Sequence, residues 1–337
     1  MSESGDYTPA PEWKGHDFKS AYAHYDVHAG RGYAAAKAKN VVAKDLVPEE
    51  ITTQSTHPLI IRCDVTGSMG GWPAVIFSKL PYLDHEIRKE YLSEDAEVSF
   101  GAISDTGDDY PLQIRPFAKG ADMKANLEKL IVTRGGSGPD PYCEAYAVQA
   151  IYDARNVKFP RALIKPICII IGDEMPYGMV SKEEAHDYAK VGIEEARLSA
   201  SQIFKELMAV YSVYLILKPY GNESLSGDTL TGTTKTVYDC WEKILGAERI
   251  ALLPGADRVV DVIFGILAKE TGRIDYFRKE LEARQLPDKN GKQKVETVYR
   301  SLKTVHALPK PAGSSGRGSG HSKTSGIGGG KPTKPLV

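Results

Sequence analysis

The chain has 337 residues, 42% of them apolar and 26% charged, enough for one large core or a domain with appended helices. Lysine and arginine total 43 against 44 aspartates and glutamates, so no broad basic field exists to hold nucleic acid or an anionic membrane, and any binding must be local and chemical. The start MSESGDYTPAPEWKGHD lacks the basic and apolar stretches of a secretion signal, and apolar runs such as Ile167 to Ile171 are strand-sized, so a cytoplasmic protein without a membrane span is expected.

Residues 1 to 50 read as a helical or irregular extension. From His57 the pattern alternates between strands and helices. A first strand, His57 to Asp64, precedes a helix over Trp72 to Tyr91, whose Ile76, Phe77, Leu80, Leu83 and Ile87 form one apolar face. Two short strands follow, Glu97 to Ser104 and Leu112 to Ala118, across the turn DTGDDYP, where Asp105, Asp108 and Asp109 are expected to be solvated. Helices over Ala121 to Ile131 and Tyr142 to Arg155 flank a Gly-rich break. Pro166 to Gly172 is apolar on both faces, as a central parallel strand should be. Helical segments over Lys182 to Lys205, a strand at Tyr211 to Leu217, a helix at Thr236 to Leu245, a strand at Arg249 to Leu253 and a helix at Val259 to Thr271 complete the alternation. Each parallel crossover needs a returning helix, so the pattern predicts an α/β fold with a Rossmann-like, doubly wound, mostly parallel sheet and helices on both faces. Residues 273 to 308 read as a C-terminal helical extension broken near Pro287, and 309 to 337, rich in Gly, Ser and Lys, as a disordered tail.

At the end of the first strand stands Asp64-Val65-Thr66-Gly67-Ser68. This DxTxS turn puts one carboxylate and two hydroxyls at alternate positions, where all three oxygens can face one small space and a hard cation such as Mg²⁺. The same residue types suit any strand-to-helix turn, and Ser68 could cap the next helix. Asp173 ends the central strand; if that strand neighbours the first, Asp64 and Asp173 arrive at one edge, and a divalent ion holds both ionised. In the stretch Gly135 to Ala145, Asp140 or Glu144 at the helix start could add an oxygen, although acids there also stabilise helices without metal. Cys63, Cys143, Cys168 and Cys240 lie far apart with no CxxC pair, and no histidines pair at zinc-ligand spacing, so buried reduced thiols are expected and no zinc site.

These pieces, in this order, resemble the metal-ion-dependent adhesion site of von Willebrand factor A domains, over roughly residues 57 to 272. The resemblance implies Mg²⁺, or Mn²⁺ or Ca²⁺ in its place, held by Asp64, Thr66, Ser68 and Asp173, with a partner's carboxylate completing the shell. Thr66 replaces the usual first serine and keeps the hydroxyl. No threonine stands in the Gly-rich stretch; Glu144 falls at the family's third ligand position, with Ser137 and Asp140 as alternatives. The wording DVTGSMGGWP, PLQIRPF and IIGDEMP is closest to bacterial intracellular members, which implies a non-enzymatic module binding a protein partner in a multiprotein or AAA+-associated assembly. A metal-dependent phosphohydrolase and a scaffold with an empty site stay open as alternatives.

Overall fold

A computed structural model describes residues 18–25, 31–133, 135–136, 141–143, 145–225 and 229–306. The expected tail, 309 to 337, lies outside them, as do Ser137, Asp140 and Glu144. The first elements are α1 (Phe18–Tyr25), α2 (Arg31–Ala38), β1 (Ile51–Thr52), β2 (Leu59–Asp64), α3 (Trp72–Lys79), α4 (Leu83–Glu86), β3 (Val98–Ile103), β4 (Leu112–Ile114) and α5 (Gly120–Leu127). The middle of the chain forms β5 (Tyr142–Cys143), α6 (Ala145–Asn156), β6 (Val157–Lys158), β7 (Ile167–Gly172), β8 (Met175–Pro176), β9 (Met179–Ser181), α7 (Lys182–Ala189), β10 (Arg197–Ser199) and α8 (Ala200–Val210). Then come β11 (Ser212–Leu217), α9 (Gly232–Leu245), β12 (Ile250–Leu252), α10 (Val259–Thr271), α11 (Ile274–Gln285) and α12 (Gly291–Ser301).

The protein is mixed α/β around a six-stranded sheet of order β12-β11-β7-β2-β3-β4, parallel except for the β3/β4 pair. Every residue of β2, β7 and β11 is buried, because both faces of the sheet are covered. Alternation along β7 divides the packing. Ile167, Ile169 and Ile171 join Phe77 of α3 and Val259 and Ile263 of α10 in one apolar cluster, whereas Cys168 and Ile170 join Tyr146 and Ile151 of α6, Phe204 of α8 and Trp241 of α9 in another. β2 continues to β3 on one side and meets β7 on the other, so the strand order reverses between them, where ligands collect on such sheets. Two residues before the end of β2, Arg62 is fully buried and donates to both carboxylate oxygens of Asp153 on α6, at 3.0 and 2.7 Å, and to Ser99 on β3. This pair ties β2 to the helix above it. Among the described residues no helix is long and apolar enough to cross a membrane.

Three helical expectations change. The segment 72–91 is not one helix: Pro81 has no amide to donate and its ring crowds the preceding turn, so the chain tightens into a 3₁₀ turn at Leu80–Tyr82 and ends in a π turn at Ile87–Tyr91. Tyr142 and Cys143 form β5, paired in parallel with β8, before α6 begins. The segment 182–205 is interrupted by β10, which pairs antiparallel with β9; α7 and α8 each start at a capping box, Ser181 with Glu184 and Ser199 with Gln202. α11 and α12 break near Pro287 as expected.

Candidate metal centre

Three neighbouring parallel strands deliver charged side chains to one edge. β2 ends in Asp64, β7 runs into Asp173, and β11 runs into Lys218. All three residues are buried. Asp64 Oδ1 accepts from the backbone amide of Thr66 at 2.7 Å and from its hydroxyl at 2.6 Å. The Thr66 and Ser68 hydroxyls lie 3.0 Å apart, and Ser68 donates to Asp173 Oδ1 at 2.8 Å. A continuous chain of oxygens therefore crosses from β2 to β7. Neither hydroxyl caps a helix: the 3₁₀ turn Gly67–Met69 and α3, which starts after Gly71, both lack a side-chain cap. The turn chemistry is thus directed at carboxylates and not at helix amides.

The other Asp173 oxygen is held by Lys218. Its ammonium lies 2.8 Å from Oδ2 and within 3.0 Å of the carbonyls of Ser68, Pro219 and Gly221, with the Trp72 ring 5.4 Å away. The Gly221 amide adds a bond to the same Oδ2 at 3.1 Å. Lys218 was not singled out in the sequence, where its signal is a lone charge at the carboxyl end of the apolar strand SVYLIL. Asp64 Oδ2 has its own buried partner, the Tyr146 hydroxyl of α6, at 2.7 Å. That contact requires Gly172: a Cβ at this position would stand 1.7 Å from the Tyr146 oxygen and 3.0 Å from Asp64 Cβ. Gly172→Ala is expected to lower stability by about 1–3 kcal/mol through overpacking and to detach Tyr146 from Asp64. A thermal melt unchanged from wild type would show that Tyr146 moves aside freely.

Two further buried groups approach Asp64. Glu174, which follows Asp173, keeps its backbone carbonyl on the Trp241 indole at 2.8 Å, and its Oε2 has no hydrogen-bond partner among the described residues. The Cys143 thiol donates to the Ser104 carbonyl at 3.3 Å. Asp64, Cys143 and Glu174 each offer an atom within 4.8 Å of the others. Burial, and next the charge of Asp173, pushes the Asp64 carboxyl up to about 7. Burial, and next the charges of Asp64, Asp173 and Asp105, pushes Glu174 up to about 9. Burial, with Asp64 and Asp105 beside it, raises the Cys143 thiol well above its ordinary value. Asp105 is buried and acts on this cluster, contrary to the expectation of a solvated turn, because the end of β3 lies against it; Asp109 is exposed and pairs with Lys37.

Of the expected ligands, Asp64, Thr66, Ser68 and Asp173 come together, while Glu144, Ser137 and Asp140 lie outside the described residues. Beside the undescribed stretch, Gly135 accepts from the Gly67 amide and the Gly136 amide donates to Asp108 at 3.2 Å, which brings the start of the Gly-rich loop against the DxTxS turn. Two carboxylates and two hydroxyls fit a hard divalent ion that keeps part of its water shell, and the Glu174 oxygen that lacks a partner among the described residues is a further buried donor open to a cation.

No model of a known protein family matches the chain, and no curated protein matches it. Among solved structures it is similar to the pilus adhesin SpaC from Lactobacillus rhamnosus GG, at 12% identity and a TM-score of 0.45 over 69% of this chain and 32% of that one. It is also similar to proximal thread matrix protein 1 from the mussel byssus, at 12% identity and a TM-score of 0.41 over 65% of this chain and 48% of that one. The chain spans about a third of the adhesin and about half of the byssus protein.

Proposed function

We propose that the protein is a von Willebrand factor A-type, metal-dependent protein-binding module, in which Asp64, Thr66, Ser68 and Asp173 hold Mg²⁺ and a carboxylate of the partner completes the shell. The observation that carries this reading is the run of hydroxyls linking the two strand-end carboxylates, Asp64 to Thr66 to Ser68 to Asp173, with no helix cap to account for them. Glu144 is the proposed ligand from the Gly-rich stretch. Lys218 supplies what such a site needs for an acidic partner: its ammonium offsets one of the three carboxylates Asp64, Asp173 and Glu144, so a bound divalent ion leaves the centre neutral and not negative when the partner's carboxylate arrives. Beside it, Tyr142 and Tyr177 are 37% and 41% exposed and meet edge to face at 6.2 Å, an aromatic rim of the kind enriched at interfaces.

A phosphohydrolase is the weaker reading. Its lysine would have to face a phosphate, whereas Lys218 is buried and surrounded by four protein oxygens. Isothermal titration of Mg²⁺ and capture of partners from native lysate test the proposal together. Mg²⁺ binding and capture should both be lost in Asp64→Ala, and capture lost in EDTA. Capture that persists in EDTA defeats the adhesion mechanism, and Mg²⁺-dependent turnover of a generic phosphate ester that disappears in Asp64→Ala replaces it with the hydrolase.

A further inference from the structure

We propose that Asp64, Cys143 and Glu174 form a second cation position, one that takes a thiophilic divalent ion of the Zn²⁺ class. It shares Asp64 with the adhesion site but does not rest on that reading, in which Cys143 has no part.

The three groups are far apart in sequence and are brought together by pairing. β5 and β8 run parallel with Tyr142 opposite Met175 and Cys143 opposite Pro176, so Cys143 stands diagonally from Glu174, the residue preceding β8, and their ligand atoms approach within 4.8 Å. The Met175 amide bonds to the Pro141 carbonyl at 2.9 Å, and the Trp241 indole holds the Glu174 backbone from the other side. Asp64 arrives from β2. One ligand atom from each lies within 4.8 Å of the others, and all three residues are buried. Tetrahedral bonds of about 2.0–2.3 Å place donor atoms roughly 3.5 Å apart, so the three need to close in by little more than an ångström. Glu174 is only 4% exposed, yet its Oε2 finds no hydrogen-bond partner among the described residues. A buried oxygen without a partner costs free energy that a metal bond would recover.

The thiol decides which metals. Mg²⁺ and Ca²⁺ take oxygen ligands, whereas Zn²⁺, Co²⁺ and Fe²⁺ accept thiolate. As the sulfur–metal bond forms, the proton that Cys143 now donates to Ser104 leaves to solvent. Three protein ligands leave a fourth, exchangeable position, as in zinc sites that bind water or substrate. Sequence spacing excluded zinc only for local motifs; this set is assembled by tertiary packing, from the end of β2, from β5 and from the turn between β7 and β8.

Co²⁺ titration of the full-length chain, stripped with EDTA and kept reduced, supplies the test, because a Co²⁺–thiolate bond gives a charge-transfer band in the near ultraviolet. The band is expected in wild type and should be displaced by Zn²⁺. Cys143→Ser should abolish it and weaken Zn²⁺ binding by about a hundredfold or more, beyond the loss of a supporting group. Cys240→Ser, at the partly exposed thiol, should keep the band. Glu174→Gln should keep the band but need more Co²⁺, which decides the matter even if the serine variant does not fold. Asp173→Asn should keep the band while losing Mg²⁺-dependent capture, so the two sites fail separately. Co²⁺ bound without the band, a band that survives in Cys143→Ser, or no Co²⁺ binding overturns the proposal.

Discussion

Replacing Lys218 by methionine is expected to lower the melting temperature of the metal-free protein by on the order of 10 °C, and saturating Mg²⁺ should restore most of that loss. Lys218 and Asp173 are both buried, and their ion pair at 2.8 Å is the one compensation Asp173 receives from a full charge among the described residues. Removing one partner of such a pair leaves an uncompensated buried charge, at a cost of about 3–5 kcal/mol. A divalent ion bound through Asp173 supplies the missing charge, so the same substitution that destabilises the metal-free state should tighten Mg²⁺ binding. Calorimetry on wild type, Lys218→Met and Lys218→Met with Asp173→Asn separates the terms: the double variant should recover stability without metal. A single variant as stable as wild type in EDTA, or one that Mg²⁺ does not rescue, would remove Lys218 from any account of the centre.

The sequence made the strand ends legible because burial on both faces is written into unbroken apolar runs, PICIIIG above all, and because a parallel sheet gathers its carboxyl ends on one side. That logic reached Asp64 and Asp173, and the neighbouring strands β2 and β7 answer the condition on which it depended. It passed over Lys218, Tyr146 and Glu174, which carry no spacing signal: each reaches the centre only through tertiary packing, from β11, α6 and the turn after β7. Cys143 was hidden by helical periodicity, since Tyr142 and Cys143 continue the apolar pattern of α6 although they pair as a strand. The Pro81 break was readable from the residue itself, and the sustained apolar face of 72–91 masked it. The capping boxes at Ser181 and Ser199 were also readable and would have split the segment 182–205.

As the pH rises from about 5 to about 9, Glu174→Gln is expected to gain stability on wild type in the absence of metal. Burial, and next the charges of Asp64, Asp173 and Asp105, holds the Glu174 proton up to about 9, above the ordinary 4.5, and burial with Asp173 holds that of Asp64 up to about 7, above 3.8. The folded state therefore binds these protons more tightly than the unfolded chain does. The stability they contribute is complete below the unfolded values and drains away as the pH climbs through the folded ones. Each unit of such a shift corresponds to about 1.4 kcal/mol, so the loss across this window amounts to several kcal/mol, shared by a cluster whose protons leave in steps that belong to the group. At pH 5 wild type and Glu174→Gln both carry an uncharged side chain at 174 and should melt together; at pH 9 wild type must bury a carboxylate and the variant need not. A bound cation reverses the balance, because it favours the ionised form, so metal affinity should rise over the same interval and the gap between the two proteins should close or change sign when metal is present. Melting curves at pH 5, 7 and 9, in EDTA and in saturating Mg²⁺ or Zn²⁺, measure both halves. A gap in EDTA that stays constant with pH would mean that Glu174 is solvated in the folded protein and stands outside any metal centre.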